Sequence, residues 1–147
     1  MELVVKHFDA LTAEELFEIY KLRVAIFVVE QNCPYQEVDD ADLTAFHLYL
    51  KDDTGIQAYL RILPKGATHE DVSMGRVFSV KRRCGFATRI VKAGIAVAKE
   101  KFDAERIVID AQTYARELYE NVGFVQSGEE FLEDGIPHIP MTYLFEK

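Results

Sequence analysis

The sequence predicts a mixed α/β domain in which helices cover a central sheet. The chain has 147 residues, 49% of them hydrophobic, which is enough to form a substantial core. Segments that alternate like β-strands are interleaved with segments that carry the apolar periodicity of helices. No repeat, linker or low-complexity segment interrupts this order, so we expect one domain over residues 1–147.

The first half of the chain predicts a strand, a long helix and a hairpin. Residues 3–9 are rich in β-forming side chains. A T-x-x-E pattern at Thr12 is typical of a capping box and predicts a helix over about 13–29. An acidic loop follows at 33–44. Two alternating segments on either side of the letters DTG then predict a β-hairpin.

The second half predicts strands that alternate with two helices. Residues 72–80 are almost continuously apolar, as expected for a strand at the centre of a sheet. Residues 87–102 have helical periodicity, and 106–112 predict a second buried strand. A short helix then ends at Gly123, and a hairpin-like pair of strands completes the chain. The predicted order is therefore β-α-β-β-β-α-β-α-β-β.

The charge and the cysteines narrow the function classes. The chain has 17 Lys and Arg and 25 Asp and Glu, and its net charge of -8 argues against a general nucleic-acid binder. Cys33 and Cys84 show no zinc-ligand spacing, so no metal is expected. The N-terminus lacks the pattern of a signal peptide, and no apolar run is long enough to span a membrane. We therefore expect a cytoplasmic protein without a membrane segment.

Positive charge is concentrated immediately before the second predicted helix. Lys81, Arg82 and Arg83 precede Cys84 and Gly85 in this acidic chain. Unpaired amides at a helix start, with a glycine and arginines beside them, can bind a phosphate or a diphosphate. A solvated basic turn is the alternative. The turn is neither a P-loop nor a dinucleotide-binding fingerprint, because neither glycine pattern is present.

The pattern Arg82-x-x-Gly85-x-Ala87 resembles the Q/R-x-x-G-x-G/A signature of the GNAT superfamily of N-acetyltransferases. The A-x-x-L-Y-x-x-x-G-F pattern that begins at Ala115 is similar to a later helix of that superfamily. Three further stretches resemble its ElaA-like branch, namely 22–43, 75–77 and 133–141. The resemblance covers almost the whole chain. It implies the GNAT fold, with a mixed, mostly antiparallel central sheet that splays between strands 4 and 5 and is flanked by helices.

The resemblance also implies acetyl-CoA as the cosubstrate. The basic turn would bind the diphosphate, and backbone groups of the fourth strand would pair with the pantetheine arm and stabilise the oxyanion. The candidate donor-binding residues are Phe78, Val80, Arg82, Arg83, Cys84, Gly85, Phe86, Ala87 and Thr88. The turn is shorter than is usual in the family. A second register, in which Cys84 takes the first position of the signature, is therefore also open.

Tyr119 is the candidate catalytic residue. In the family, a tyrosine at this place often protonates the leaving CoA thiolate, which implies the same role here. A phenol with a pKa of ~10 can protonate a thiolate whose conjugate acid has a pKa of ~8.5 at modest cost. On spacing alone, a core position in an amphipathic helix is the better interpretation of Tyr119.

The implied acceptor is a primary amine, on a small molecule or a peptide, that attacks the thioester directly. The candidate acceptor-binding residues are Glu30, Gln31, Arg76 and His138. The sequence does not fix the base, for which the candidates are Glu30, Glu37, Asp39, His47 and His138. The acids at 37–42 would either attract a protonated amine or form a solvated loop. The family often forms dimers, so a homodimer is a further expectation.

Two rival hypotheses stay open at the level of sequence. The shortened turn is compatible with a GNAT-like sensor that binds acetyl-CoA without turnover. The negative net charge is compatible with an acidic protein-interaction domain that has no cofactor. Stabilisation by acetyl-CoA separates the interaction domain from the other two hypotheses, and thiol release separates the enzyme from the sensor.

Overall fold

A computed structural model of the chain describes residues 1–82 and 84–146. The helices are α1 (Ala13–Arg23), α2 (Phe86–Phe102) and α3 (Arg116–Asn121). The strands are β1 (Glu2–His7), β2 (Phe46–Asp52), β3 (Gly55–Leu63), β4 (Val72–Ser79), β5 (Arg106–Gln112), β6 (Val125–Gln126), β7 (Phe131–Glu133) and β8 (Ile136–Leu144). A π-helix at Val24–Glu30 continues α1, and 3₁₀ turns lie at Phe8–Ala10, Asp40–Thr44 and Thr113–Ala115.

The eight strands form one sheet in the order β1-β2-β3-β4-β5-β8-β6, and β7 also pairs with β8. Among the described strands, β4 and β5 are parallel and the other neighbours are antiparallel. Only two residue pairs join β4 to β5, whereas seven join β5 to β8. The predicted mixed sheet and its splay between strands 4 and 5 are both confirmed.

Local signals explain most of the element boundaries. The predicted capping box is present, because Glu15 N donates to Thr12 Oγ1 at 3.1 Å and Thr12 N donates to Glu15 Oε1 at 2.9 Å. The first strand ends at His7, earlier than predicted, because the ring of His7 accepts a hydrogen bond from Asp9 N and the chain turns. The last segment holds three strands rather than two, since Val125–Gln126 adds to β8.

The sheet separates two apolar layers. On one face, α2 packs so close to β3 and β4 that a Cβ added at Gly94 would lie 2.7 Å from Met74 Cε. On the other face, the ring of Phe78 stacks on Tyr59 at 5.4 Å and meets Phe27 edge-on at 6.4 Å. This second layer lies under α1 and its π-helical continuation.

A buried ion-pair network fastens α1 to the sheet. The side chain of Arg23 is 0% exposed and lies 2.6 Å from Glu37 and 2.7 Å from Asp42. Arg61 of β3 lies 3.0 Å from the same Asp42. Burial alone would raise the pKa of Asp42, but hydrogen bonds and charge from Arg23 and Arg61 hold that pKa below its usual value. Asp42 is therefore ionised and paired within the protein.

Replacing Arg23 with alanine would leave Glu37 and Asp42 buried without their shared cation. We expect the free energy of unfolding in urea to fall by about 3–5 kcal/mol, the usual effect of breaking a buried pair. The control is Arg116→Ala, which removes an exposed ion pair with Glu120 on α3 and should change stability by less than about 0.5 kcal/mol. Equal effects of the two substitutions would show that the network does not hold the fold.

Candidate active site

The divergence of β4 and β5 opens a cleft in the middle of the sheet. Their pairing ends at Ser73 and Val108, although β4 continues to Ser79 and β5 to Gln112. The cleft has a volume of about 320 Å³. Its walls come from β4, β5, the end of the π-helix, the start of α3 and the β7–β8 hairpin.

A bulge in β4 shapes one wall of this cleft. The pairing of β3 with β4 shifts register between Tyr59 and Arg61, and Arg76 on the bulge has a φ of 52°. A left-handed conformation costs a non-glycine residue roughly 1–2 kcal/mol. Ion pairs hold it, since Arg76 lies 2.8 Å from Glu37 and 3.4 Å from Asp39. Arg76 thus lines the cleft but is already paired with the acidic loop.

The acids of the loop at 37–42 are mostly paired rather than solvated. Glu37 is 3% exposed and Asp42 is 1% exposed, inside the network described above. Asp39 lies 2.6 Å from Arg61. Burial would raise the pKa of Asp39, but Arg61 and Arg76 lower it below its usual value. The sequence suggested that the acids at 37–42 are either solvated or free to attract an amine. For Glu37 and Asp42, both expectations are wrong.

Some of the candidate bases line the cleft, and others do not. His47 is 0% exposed, and its ring nitrogens lie 2.7 Å from Tyr59 Oη and 3.1 Å from Asp42 O. Burial lowers the pKa of His47, so this histidine is a neutral core residue. Asp39 and His138 line the cleft. Glu30 lies on the exposed surface, 3.6 Å from Arg82.

The turn before α2 leaves the start of the helix open. Gly85 occupies the N-cap position with a φ of 75°, a conformation that favours glycine. No side chain of the described residues caps the helix, so its first amides have no side-chain partner in the part of the chain that the structure describes. Of the other candidate residues in this turn, Arg82 and Cys84 are exposed, Phe86, Ala87 and Thr88 are half-buried, and Arg83 lies outside the described residues.

At the end of β4, the hydrogen-bonding groups of successive backbone residues point in turn toward β3 and toward the gap beside β5. Val80 N donates to Gln57 O at 2.8 Å, so this amide is engaged with the β3 side of the sheet. By the alternation of an antiparallel ladder, the backbone groups of Phe78 face the same way and those of Ser79 face the gap toward β5. The expectation that backbone groups of Phe78 and Val80 pair with the pantetheine arm is therefore wrong for Val80 N, which is bonded to β3, and the ladder turns Phe78 the same way. The side chain of Phe78 is core, as the stacking on Tyr59 shows.

Tyr119 reaches the cleft from the layer that contains α2. Its ring packs edge-on against Phe124 at 5.7 Å, and it is 7% exposed. It nevertheless lines the cleft, and no hydrogen bond joins its hydroxyl to another described residue. Burial raises the pKa of Tyr119 well above its ordinary value. The phenol is therefore protonated across the physiological range. Tyr119 is therefore both a core residue and a residue of the cleft wall.

Gln31 and His138 line the cleft from different walls. Gln31 exchanges side-chain hydrogen bonds of 3.3 Å with Gln112, which joins the end of the π-helix to β5. His138 of β8 stacks on Phe131 at 5.8 Å, and its Nδ1 lies 2.7 Å from Ile136 O. These contacts fix both side chains at the cleft, with groups that can contact a polar ligand.

Sequence patterns did not point to the pair formed by His69 and Asp110. His69 Nε2 lies 2.9 Å from Asp110 Oδ2, and both residues line the cleft. The sequence did contain a signal, since the carboxylate of Asp110 directly follows the apolar run at 107–109 of a buried strand. Its partner is 41 positions away, which no local pattern can identify.

Within 1–82 and 84–146, His, Cys, Asp and Glu form no group of three or more with the arrangement of a metal site. None of the described helices is both long and apolar enough to cross a membrane.

The chain is similar over nearly its whole length to several known proteins. Residues 13–145 match the family described as Acetyltransferase (GNAT) domain. A UPF0039 protein from Schizosaccharomyces pombe is 39% identical, covering 96% of this chain and 95% of that protein. Protein ElaA from Escherichia coli is 34% identical, covering 92% of each chain.

Solved structures agree with these sequence matches. The crystal structure of Escherichia coli ElaA has a TM-score of 0.89 at 32% identity, covering 97% of this chain and 98% of that one. An acyl-CoA N-acyltransferase from Pseudomonas aeruginosa has a TM-score of 0.88 at 36% identity, covering 97% and 99%. The chain therefore belongs to the GNAT acetyltransferases, in their ElaA-like branch.

Proposed function

We propose that this protein is an N-acetyltransferase that transfers an acetyl group from acetyl-CoA to a primary amine by direct attack in a ternary complex. The observation that carries the proposal is the cleft between β4 and β5. It joins the two faces of the sheet, the phenol of Tyr119 lines it, and polar groups such as Gln31 and His138 line its other walls. Family membership supports acyl transfer as the chemistry.

The open start of α2 fits the diphosphate of the donor. The first amides of the helix and its dipole favour an anion there, and the exposed guanidinium of Arg82 adds a charged donor. Gly85 at the N-cap supports the register in which Arg82 and Gly85 are the first and central residues of the signature. Cys84, Phe86, Ala87 and Thr88 complete the proposed cradle.

The gap beside β4 fits a slender amide-bearing arm. Beyond Ser73, the backbone groups of β4 that face β5 have no ladder partner on that strand. Those of Ser79 are the ones directed into the gap, with Phe78 and Val80 on either side. An extended ligand could pair with them as a short additional strand would.

Tyr119 supplies the proton for the leaving group in this proposal. Acetyl-CoA provides an acyl group activated as a thioester. The amine nitrogen forms a bond to the carbonyl carbon, the bond from carbon to sulfur breaks, and Tyr119 gives its proton to the sulfur. Tyr119 then regains a proton from the new amide nitrogen. Burial keeps the phenol protonated beforehand, and the same apolar setting disfavours a free thiolate.

The charge around the cleft suits a cationic acceptor. Glu133 and Asp134 of the β7–β8 hairpin are exposed and line it, beside His138. Arg61 and Arg76 lie at the same cleft but are paired with Asp39. Acids on the hairpin can therefore attract an ammonium group, while Gln31, Arg76 and His138 contact other parts of the acceptor.

Acetyl-CoA should stabilise the protein against heat. A ligand at about 100 times its dissociation constant adds about 2.7 kcal/mol, which raises Tm by several degrees in a chain of this size. Arg82→Gln should weaken the binding about fivefold, or roughly 1 kcal/mol. The control is Arg106→Gln, an exposed arginine at the opposite end of β5 that pairs with Asp71.

Calorimetry of these variants with acetyl-CoA and with CoA would measure the effect. No shift with either ligand would favour the protein-interaction domain. A shift without thiol release over a panel of primary amines would favour the sensor. The panel would contain ethylamine, 1,4-diaminobutane, an aminoglycoside, an amino-acid amide and a lysine peptide.

Tyr119→Phe should lower kcat by about 10²-fold, the lower end of the effect of a general acid. The dissociation constant of acetyl-CoA should stay nearly unchanged, because the ring and its packing on Phe124 are preserved. Tyr143→Phe is the matched control, since that ring contacts the same Phe124 at 5.5 Å but does not line the cleft. An unaltered kcat for Tyr119→Phe under conditions where chemistry limits the rate would exclude Tyr119 as the acid.

A further inference from the structure

The pair formed by His69 and Asp110 has no role in the mechanism above. His69 lies in the connection between β3 and β4, and Asp110 lies in β5. Their side chains are 33% and 27% exposed, and both line the cleft that Tyr119 also lines. A polar pair in this position is accessible to a ligand from the cleft.

The pleat of β5 directs Asp110 away from the α2 layer. Ile109 and Ala111 belong to the core that α2 covers. Because successive side chains of a strand alternate, Asp110 and Gln112 face the other side, where Gln112 meets Gln31. A partly buried carboxylate is costly without a partner, and the bond to His69 supplies one.

A hydroxyl completes the arrangement. His69 Nδ1 lies 2.8 Å from Thr68 Oγ1, which in turn lies 3.4 Å from Ser73 Oγ. Since the carboxylate of Asp110 accepts from Nε2, neutral His69 carries its proton on Nε2 and presents a lone pair at Nδ1. Thr68 can then donate to Nδ1, and this exposed residue lines the cleft.

The charges around His69 favour its protonated form. The hydrogen bond to Asp110 of β5 raises the pKa of His69, burial opposes this, and Glu133 of β7 adds to the rise. The other charged or titratable groups on the cleft wall are Cys33, Tyr35, Asp39, Arg61, Arg76, Tyr114, Tyr119, Asp134 and His138. When His69 is protonated, Nε2–H donates to Asp110 and Nδ1–H donates to Thr68, so both protons have acceptors.

We propose that Thr68, His69 and Asp110 form a proton relay that removes the proton from the ammonium group of the acceptor. The proposal rests on the acetyl transfer proposed above. The ammonium gives a proton to the oxygen of Thr68 as that hydroxyl gives its own proton to Nδ1 of His69. The freed lone pair on nitrogen attacks the thioester, and His69 later releases the proton to solvent. Asp110 is a positioning residue that fixes the tautomer.

A purely structural role would be to fasten the β3–β4 connection to β5. The two roles differ in their dependence on pH. In the relay, kcat/KM rises with pH as His69 loses its proton. Asp110→Asn should move this rise to lower pH, because the loss of the carboxylate removes the interaction that raises the pKa of His69. A structural anchor would lower the rate without moving the profile.

The test measures kcat/KM for the best amine of the panel as a function of pH, by thiol release. His69→Gln should lose about 10²-fold at neutral pH, where a base is worth 10²–10⁴-fold, and should lose the part of the rise with pH that follows the titration of His69. The loss should be smaller for 2,2,2-trifluoroethylamine than for ethylamine, because the fluorinated amine is largely neutral already. His7→Gln is the control, since His7 is 35% exposed beside Asp9 and does not line the cleft.

The outcomes separate this relay from the proposed function. A wild-type protein that releases thiol, together with a His69→Gln variant that keeps the wild-type rate and profile, would overturn the relay alone. If His69→Gln does not fold, an unmoved pH profile in Asp110→Asn would overturn it. A wild-type protein that binds acetyl-CoA but releases no thiol with any amine would overturn both.

Discussion

The carboxylate of Glu37 is the contact on which the rest of the structure depends. It pairs on one side with Arg23 at the end of α1 and on the other with Arg76 on the bulge of β4. A buried acid between two arginines is stable only when all three are in place. The same contact therefore ties the end of α1, the acidic loop and the strained backbone of β4 beside the cleft to one another.

The cleft follows from a topological constraint on the sheet. The neighbour of β5 on its other side is β8, with which it forms a full antiparallel ladder. Its parallel contact with β4 ends after two residue pairs, and the bulge at Arg76 turns β4 away. The gap lets Tyr119 from one layer and Gln31 from the other line a single space. A ligand in this space can thus be contacted from both faces of the sheet.

The sequence predicted features that depend on near neighbours and missed those that depend on distant ones. The capping box at Thr12, the turn at Gly85 and the strand at 106–112 are local patterns, and the structure has all three. The strand at Val125–Gln126 exists only because β8 lies beside it. The burial of Glu37 likewise depends on partners 14 and 39 positions away. Distances of this kind cannot be read from periodicity.

The gap between β4 and β5 also bears on the solubility of the chain. Unpaired strand edges at the border of a sheet invite other chains to add to them and to aggregate. Here the two unpaired edges face each other in the interior, under the π-helix on one side and α3 on the other. Such a flanked gap offers a foreign strand no free border of the sheet, whereas a thin flexible molecule can enter it. The fold thereby leaves backbone hydrogen-bonding groups available to a ligand without placing them at the outer border of the sheet.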